Sequence, residues 1–137
     1  MPENQPLAPT PGIVSFPEGL PGFENHTQFV LLVDDELGPL FFLASLGEPR
    51  ITLPVVPIQQ LQRDYSLEVP EPDCRLLGLN GEPEVGRNIL CVAVVNLGDG
   101  TRAATANLFA PIVVNPENWT AKQIIQFNSM YSTAFEV

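Results

Sequence analysis

At 137 residues and 45% apolar content, the chain is the size of a single domain and can bury a core without a metal or disulfide. Its formal charge of -10 sets up a field that repels phosphate backbones, which argues against direct nucleic-acid binding. The 15 prolines and 10 glycines break it into short segments, and no apolar run reaches the ~18 residues of a membrane-crossing helix.

The charge is unevenly placed. Residues 1–100 hold 14 Asp/Glu against 4 Lys/Arg, whereas residues 101–137 hold two of each. Such a field speeds encounter with a basic partner and weakens with salt. Charge alone does not separate this role from plain solubility.

Residues 1–11 carry four prolines and are expected to form a loose leader before a single domain over 12–137. Ile13 to Phe16 reads as a strand. Pro17 to Gly22 reads as a tight loop, with Phe23 pinning it to the core. Further strands are predicted at 27–33, 40–46 and 51–56, with an acidic turn at Asp34-Asp35-Glu36. Pro54 within the last of these has no N–H to give a ladder and points to an edge or bulge. A helical turn is expected at 57–61, a half-exposed strand at 65–69 and a short helix at 70–79 closed by Gly78. Ile89 to Leu97 is almost continuously apolar, as a strand buried on both faces would be. Gly98-Asp99-Gly100 reads as a hairpin turn, followed by strands from 101–106, at 112–114 and at 122–127. The pattern predicts an all-β fold with one short helix, an antiparallel barrel whose closure removes exposed edges.

The residues point away from catalysis. The single histidine, His26, lies in an acidic loop without a catalytic signature and reads as a surface residue. Neither cysteine belongs to a ligand cluster; Cys91 reads as a buried thiol, and Cys74 has no assigned role. No metal and no cofactor are expected. In the consecutive pair Phe41-Phe42, strand geometry turns one ring outward, either toward a partner or into packing on the far side of the wall.

Several motifs in order resemble the FliW family of flagellar assembly factors. They are Ile13-Val14-Ser15-Phe16 with the following Gly-Leu-Pro-Gly-Phe-Glu loop, and the run from Pro39 to Leu46. Leu53 to Pro57, Asp64-Tyr65, Asn107 to Asn115, Gln123 to Ile125 and Tyr131-Ser132 complete the set. The chain departs from the family's usual pattern at Ala44 and Ala121. The resemblance implies a β-barrel, no enzymatic activity, and a cytoplasmic adaptor that is monomeric when free. It implies two partners: CsrA, a small basic RNA-binding dimer that represses translation, and flagellin. Unassembled flagellin would occupy the protein and free CsrA to repress flagellin synthesis; export of flagellin would reverse this. On this reading Asp34, Asp35, Glu36, Glu68, Glu71 and Asp73 are the candidate contacts to the basic partner, with Phe42 and Phe109 as apolar anchors. A small β-barrel hydrolase or lyase, or a structural subunit of a larger assembly, are the rival expectations.

Overall fold

A computed structural model describes residues 12–33 and 40–137 of the chain. The leader 1–11 and the acidic turn Asp34-Asp35-Glu36 lie outside the described residues. The strands are β1 (Ile13–Ser15), β2 (Gln28–Val33), β3 (Phe41–Ser45), β4 (Thr52–Pro57), β5 (Leu90–Asn96), β6 (Thr105–Ala106), β7 (Ile112–Asn115), β8 (Thr120–Gln123) and β9 (Phe135–Glu136). Among the described residues, one helix, α1 (Glu71–Leu77), and a turn of 3-10 helix (Ile58–Gln60) accompany them.

Seven strands close into a barrel in the ring order β1-β2-β3-β4-β5-β7-β8. Every junction is antiparallel except the seam between β8 and β1, a parallel rung joining Ser15 to Thr120. β6 takes up β5 beyond the stretch paired with β7, at Val95 and Asn96, and β9 adds to β6. The expected closed, mostly β architecture is therefore present.

The pleat sends alternate side chains to opposite sides of the wall and creates two cores. Inside the barrel, Val14, Phe16, Leu20, Phe29, Leu43, Val55 and Ile112 pack together, with Phe16 and Phe29 edge to face at 5.1 Å. Outside β5, β7 and β8 a second layer forms from Cys91, Ala93, Val95, Val113, Tyr65, Leu77, Ile89 and Leu108. β5 contributes Cys91, Ala93 and Val95 to the outer layer and Val92 and Val94 to the barrel interior. That explains its unbroken apolar sequence.

Pro54 acts as its chemistry requires. β4 pairs with β5 from Pro57 to Val55, where Val55 faces Val94. The next rung would need an N–H from Pro54, which has none, so the two strands part there. An open groove of about 680 Å³ lies at the parting, between Leu53 and Pro54 on one side and Val94 and Val95 on the other.

The helix begins after Pro70, carries Glu71 and Asp73 in its first turn, and ends at Gly78 with φ +72°. Its last carbonyl, of Leu77, accepts hydrogen bonds from the Nδ2 groups of Asn115 at 2.8 Å and Asn118 at 3.1 Å. Asn115, the last residue of the Asn107–Asn115 motif, is thus a buried brace that ties helix to barrel.

Four expectations need correction. Residues 65–69 alternate as predicted, but they join no ladder: the Ser66 N–H donates to the Tyr131 hydroxyl, and the Glu68 N–H to Gln126 Oε1. Side chains of the C-terminal segment replace the partner strand. The last barrel strand is Thr120–Gln123, not 122–127: the N–H groups of Ile124 and Gln126 still reach the carbonyls of Pro111 and Phe109, but Pro111 has no N–H to return, so the ladder ends there. The Pro17–Gly22 loop is pinned by Leu20, which is buried, rather than by Phe23, which is 44% exposed. Finally, His26 is buried: its Nδ1 lies 2.5 Å from Ser45 Oγ, which also accepts the Gly47 N–H.

Candidate protein-docking site

The carboxylates near α1 gather around one groove. The extended segment 65–69 runs beside the helix, and the Cys74 thiol meets the Val69 carbonyl at 3.6 Å. A groove of about 460 Å³ opens there, lined by Leu67, Val69 and Pro83 together with Glu68, Glu71 and Glu82. Burial pushes the Cys74 thiol above its ordinary pKa, and the negative charges of Asp73, Glu71 and Glu82 add to the effect. Glu68, Glu71 and Glu82 around the groove make the local field negative.

Few nearby cations are free to cancel that field. Lys122 Nζ sits 2.6 Å from Asp73 and 3.1 Å from Glu18. The hydrogen bond that Lys122 donates to Asp73 is the largest cause of its raised pKa. This cation joins β8, α1 and the chain after β1, across the parallel seam that a single rung closes. Arg75 pairs with Glu71 at 3.1 Å, but both side chains are exposed and the pair contributes little to stability.

The structure brings together Glu68, Glu71 and Asp73, although Asp73 is turned toward Lys122 and only 15% exposed at its side chain. It adds Glu82, which the sequence reading did not single out; Glu82 lies after the Asn80-Gly81 turn and no periodicity links it to α1. Phe42 is elsewhere. It points outward from β3, opposite Leu32 and Pro54, on the side of the ring away from β8 and the helix. Phe109 is half-buried in a turn where Asn107 Oδ1 accepts the N–H groups of Phe109 and Ala110. Its carbonyl accepts the Gln126 N–H at 2.8 Å, which places it against the C-terminal segment.

The one Ser–His contact, Ser45 with His26, is sealed from solvent on both residues and so closed to a substrate. Cys91 is equally shut in: burial pushes its thiol up to about 12. Among the described residues no group of three or more His, Cys, Asp or Glu is arranged to hold a metal, and no helix is long and apolar enough to cross a membrane.

The model of the FliW protein family matches residues 8–137. A flagellar assembly factor FliW from Pseudothermotoga lettingae is 39% identical over 120 residues, which covers 88% of this chain and 74% of that protein. The FliW of Bacillus subtilis is 31% identical over 121 residues, covering 88% of this chain and 82% of that protein. A crystal structure of the flagellar assembly factor FliW superposes with a TM-score of 0.81 at 26% identity, over 96% of this chain and 89% of that one. With a family match along nearly all of its length and the same barrel in a solved relative, the chain belongs to the FliW family of flagellar assembly factors, adaptors rather than enzymes.

Proposed function

We propose that this protein is a cytoplasmic adaptor that binds the basic regulator CsrA and exchanges it for flagellin, so that flagellin synthesis follows flagellin export. The carrying observation is the groove beside α1, where Glu68, Glu71 and Glu82 share the lining with Leu67, Val69 and Pro83 while Lys122 is held by Asp73 and Glu18. A basic protein meets favourable potential there, and an apolar contact can exclude water at its centre. Asp34, Asp35 and Glu36 join the proposal on charge alone, as a second acidic contact. Phe109, lodged against the C-terminal segment, is the apolar anchor on this side. Phe42, across the barrel, is assigned to flagellin, since its face carries the outward apolar side chains Ile13 and Leu32.

Calorimetric titration tests the reading. The purified protein should bind CsrA, and flagellin added to that complex should release it. A protein that binds neither partner at low salt is not such an adaptor. Reversing the charges at 34–36 should slow association with CsrA, most at low salt; an unchanged rate removes that cluster from the site.

A further inference from the structure

The chain after β8 holds out two large apolar side chains that the fold does not use. Phe127 is 79% exposed and Met130 fully so. A connecting loop gains nothing in stability from either residue, yet this loop is firmly anchored. Gln126 is buried, and its Oε1 accepts the Glu68 N–H at 2.8 Å while its Nε2 donates to the Glu68 carbonyl at 3.0 Å. At the far end Tyr131 stacks on Tyr65 at 4.2 Å, and its hydroxyl accepts the Ser66 N–H at 2.7 Å. Between them the Ser129 hydroxyl donates to the Gln126 carbonyl and accepts the Tyr131 N–H. Apolar tips on a fixed base lose little freedom on docking, which is what concentrates binding energy in a few side chains.

The tips adjoin the acidic groove. Asn128 Nδ2 donates to Glu68 Oε1 at 3.3 Å. Glu68 stands on the ridge between a hollow of about 250 Å³ beside Met130 and the groove that holds Glu71 and Glu82. Tips and carboxylates therefore form one continuous surface. We propose that Phe127 and Met130 seat in an apolar cleft on a basic protein, whose rim Lys and Arg residues pair with Glu68, Glu71 and Glu82. The proposal rests on the adaptor reading and assigns to it the residues that hold the partner. A second copy of this chain is the poorer occupant, because two acidic surfaces on proteins of charge -10 repel.

The test compares CsrA binding by the wild type and by F127S/M130S. Both side chains lie largely in solvent, so the variant's melting temperature should match the wild type. Its affinity should fall by about tenfold or more, mainly through faster dissociation and with the salt dependence kept. M130S alone, which touches nothing in the fold, should give a smaller loss in the same direction. Equal affinity of wild type and both variants overturns the proposal and leaves the adaptor reading intact. A wild type that does not bind CsrA overturns both. Wild-type dimers that F127S/M130S dissolves, with CsrA affinity unchanged, assign the tips to a second copy and likewise overturn the proposal.

Discussion

Over β5, β7 and β8, the outward side chains Cys91, Val95 and Val113 lie beneath α1, the segment 65–69 and the C-terminal chain. Over β1, β2 and β3, the outward side chains Ile13, Leu32 and Phe42 have no such layer among the described residues. Both halves of the wall are apolar on their outer face, so composition does not distinguish them. Among the described residues, what differs is the segment that covers them. The covered half is also where the carboxylates and the exposed tips Phe127 and Met130 stand, because the covering layer brings them there. The same packing that completes the fold thus builds the proposed docking surface, while the other half, among the described residues, offers only its sheet.

The sharpest way to break this comparison is to remove one side chain from each half. Leu77→Ala empties a fully buried position in the covering layer and should cost about 3 kcal/mol or more in chemical denaturation. Leu32→Ser on the bare half, where Leu32 is exposed, should cost about 1 kcal/mol or less. Similar losses would show that the bare half is covered too.

Alkaline pH loads the covered half alone. Cys91, pushed up to about 12, and Tyr65, raised chiefly by burial, both keep their protons in the folded state. In the unfolded chain they ionise near their ordinary values of 9.0 and 10.0. The folded state then binds more protons, so stability must fall as pH rises above about 9. A loss of about 2 kcal/mol between pH 9 and 11 is expected from Cys91, with a further loss from Tyr65, and Cys91→Ala should remove the first part. A flat profile would contradict the burial of both groups. Lys122 acts in the same direction at higher pH: its raised pKa supports the fold below its ordinary value of 10.5, and that support disappears as it deprotonates. Lys122→Met, which strands Asp73 and opens the parallel seam, should cost about 1–2 kcal/mol at neutral pH. A neutral outcome would mean the single rung at Ser15 and Thr120 closes the barrel unaided.

Much of the wall was legible because its signals are local. Gly78 ends the helix where expected, and Asp99 caps its turn by accepting the N–H groups of Thr101 and Arg102. The unbroken run through Val95 announced a strand buried on both faces. The outer layer was harder to read. Residues 65–69 carry a strand's alternation without a strand's partner, since Gln126 and Tyr131 satisfy their backbone from 58 and 65 residues away. His26 looked exposed beside Glu24 and Asn25, yet Ser45 gives it a buried partner that no spacing reveals. Of the candidate site, Glu68 and Glu71 were found from charge. Glu82, Phe127 and Met130 were not, because their shared surface arises only when the C-terminal chain folds back along 65–69.

The central claim, that the covered and acidic half receives the basic partner, is tested most directly by the association rate with CsrA at low and high salt. Three proteins are compared: the wild type, E68K/E71K/E82K, and F42S. The charge-reversed variant should associate about tenfold more slowly at low salt and approach the wild type at high salt, while F42S keeps the wild-type rate throughout. Equal rates for the wild type and the charge-reversed variant, or a loss confined to F42S, would contradict the account.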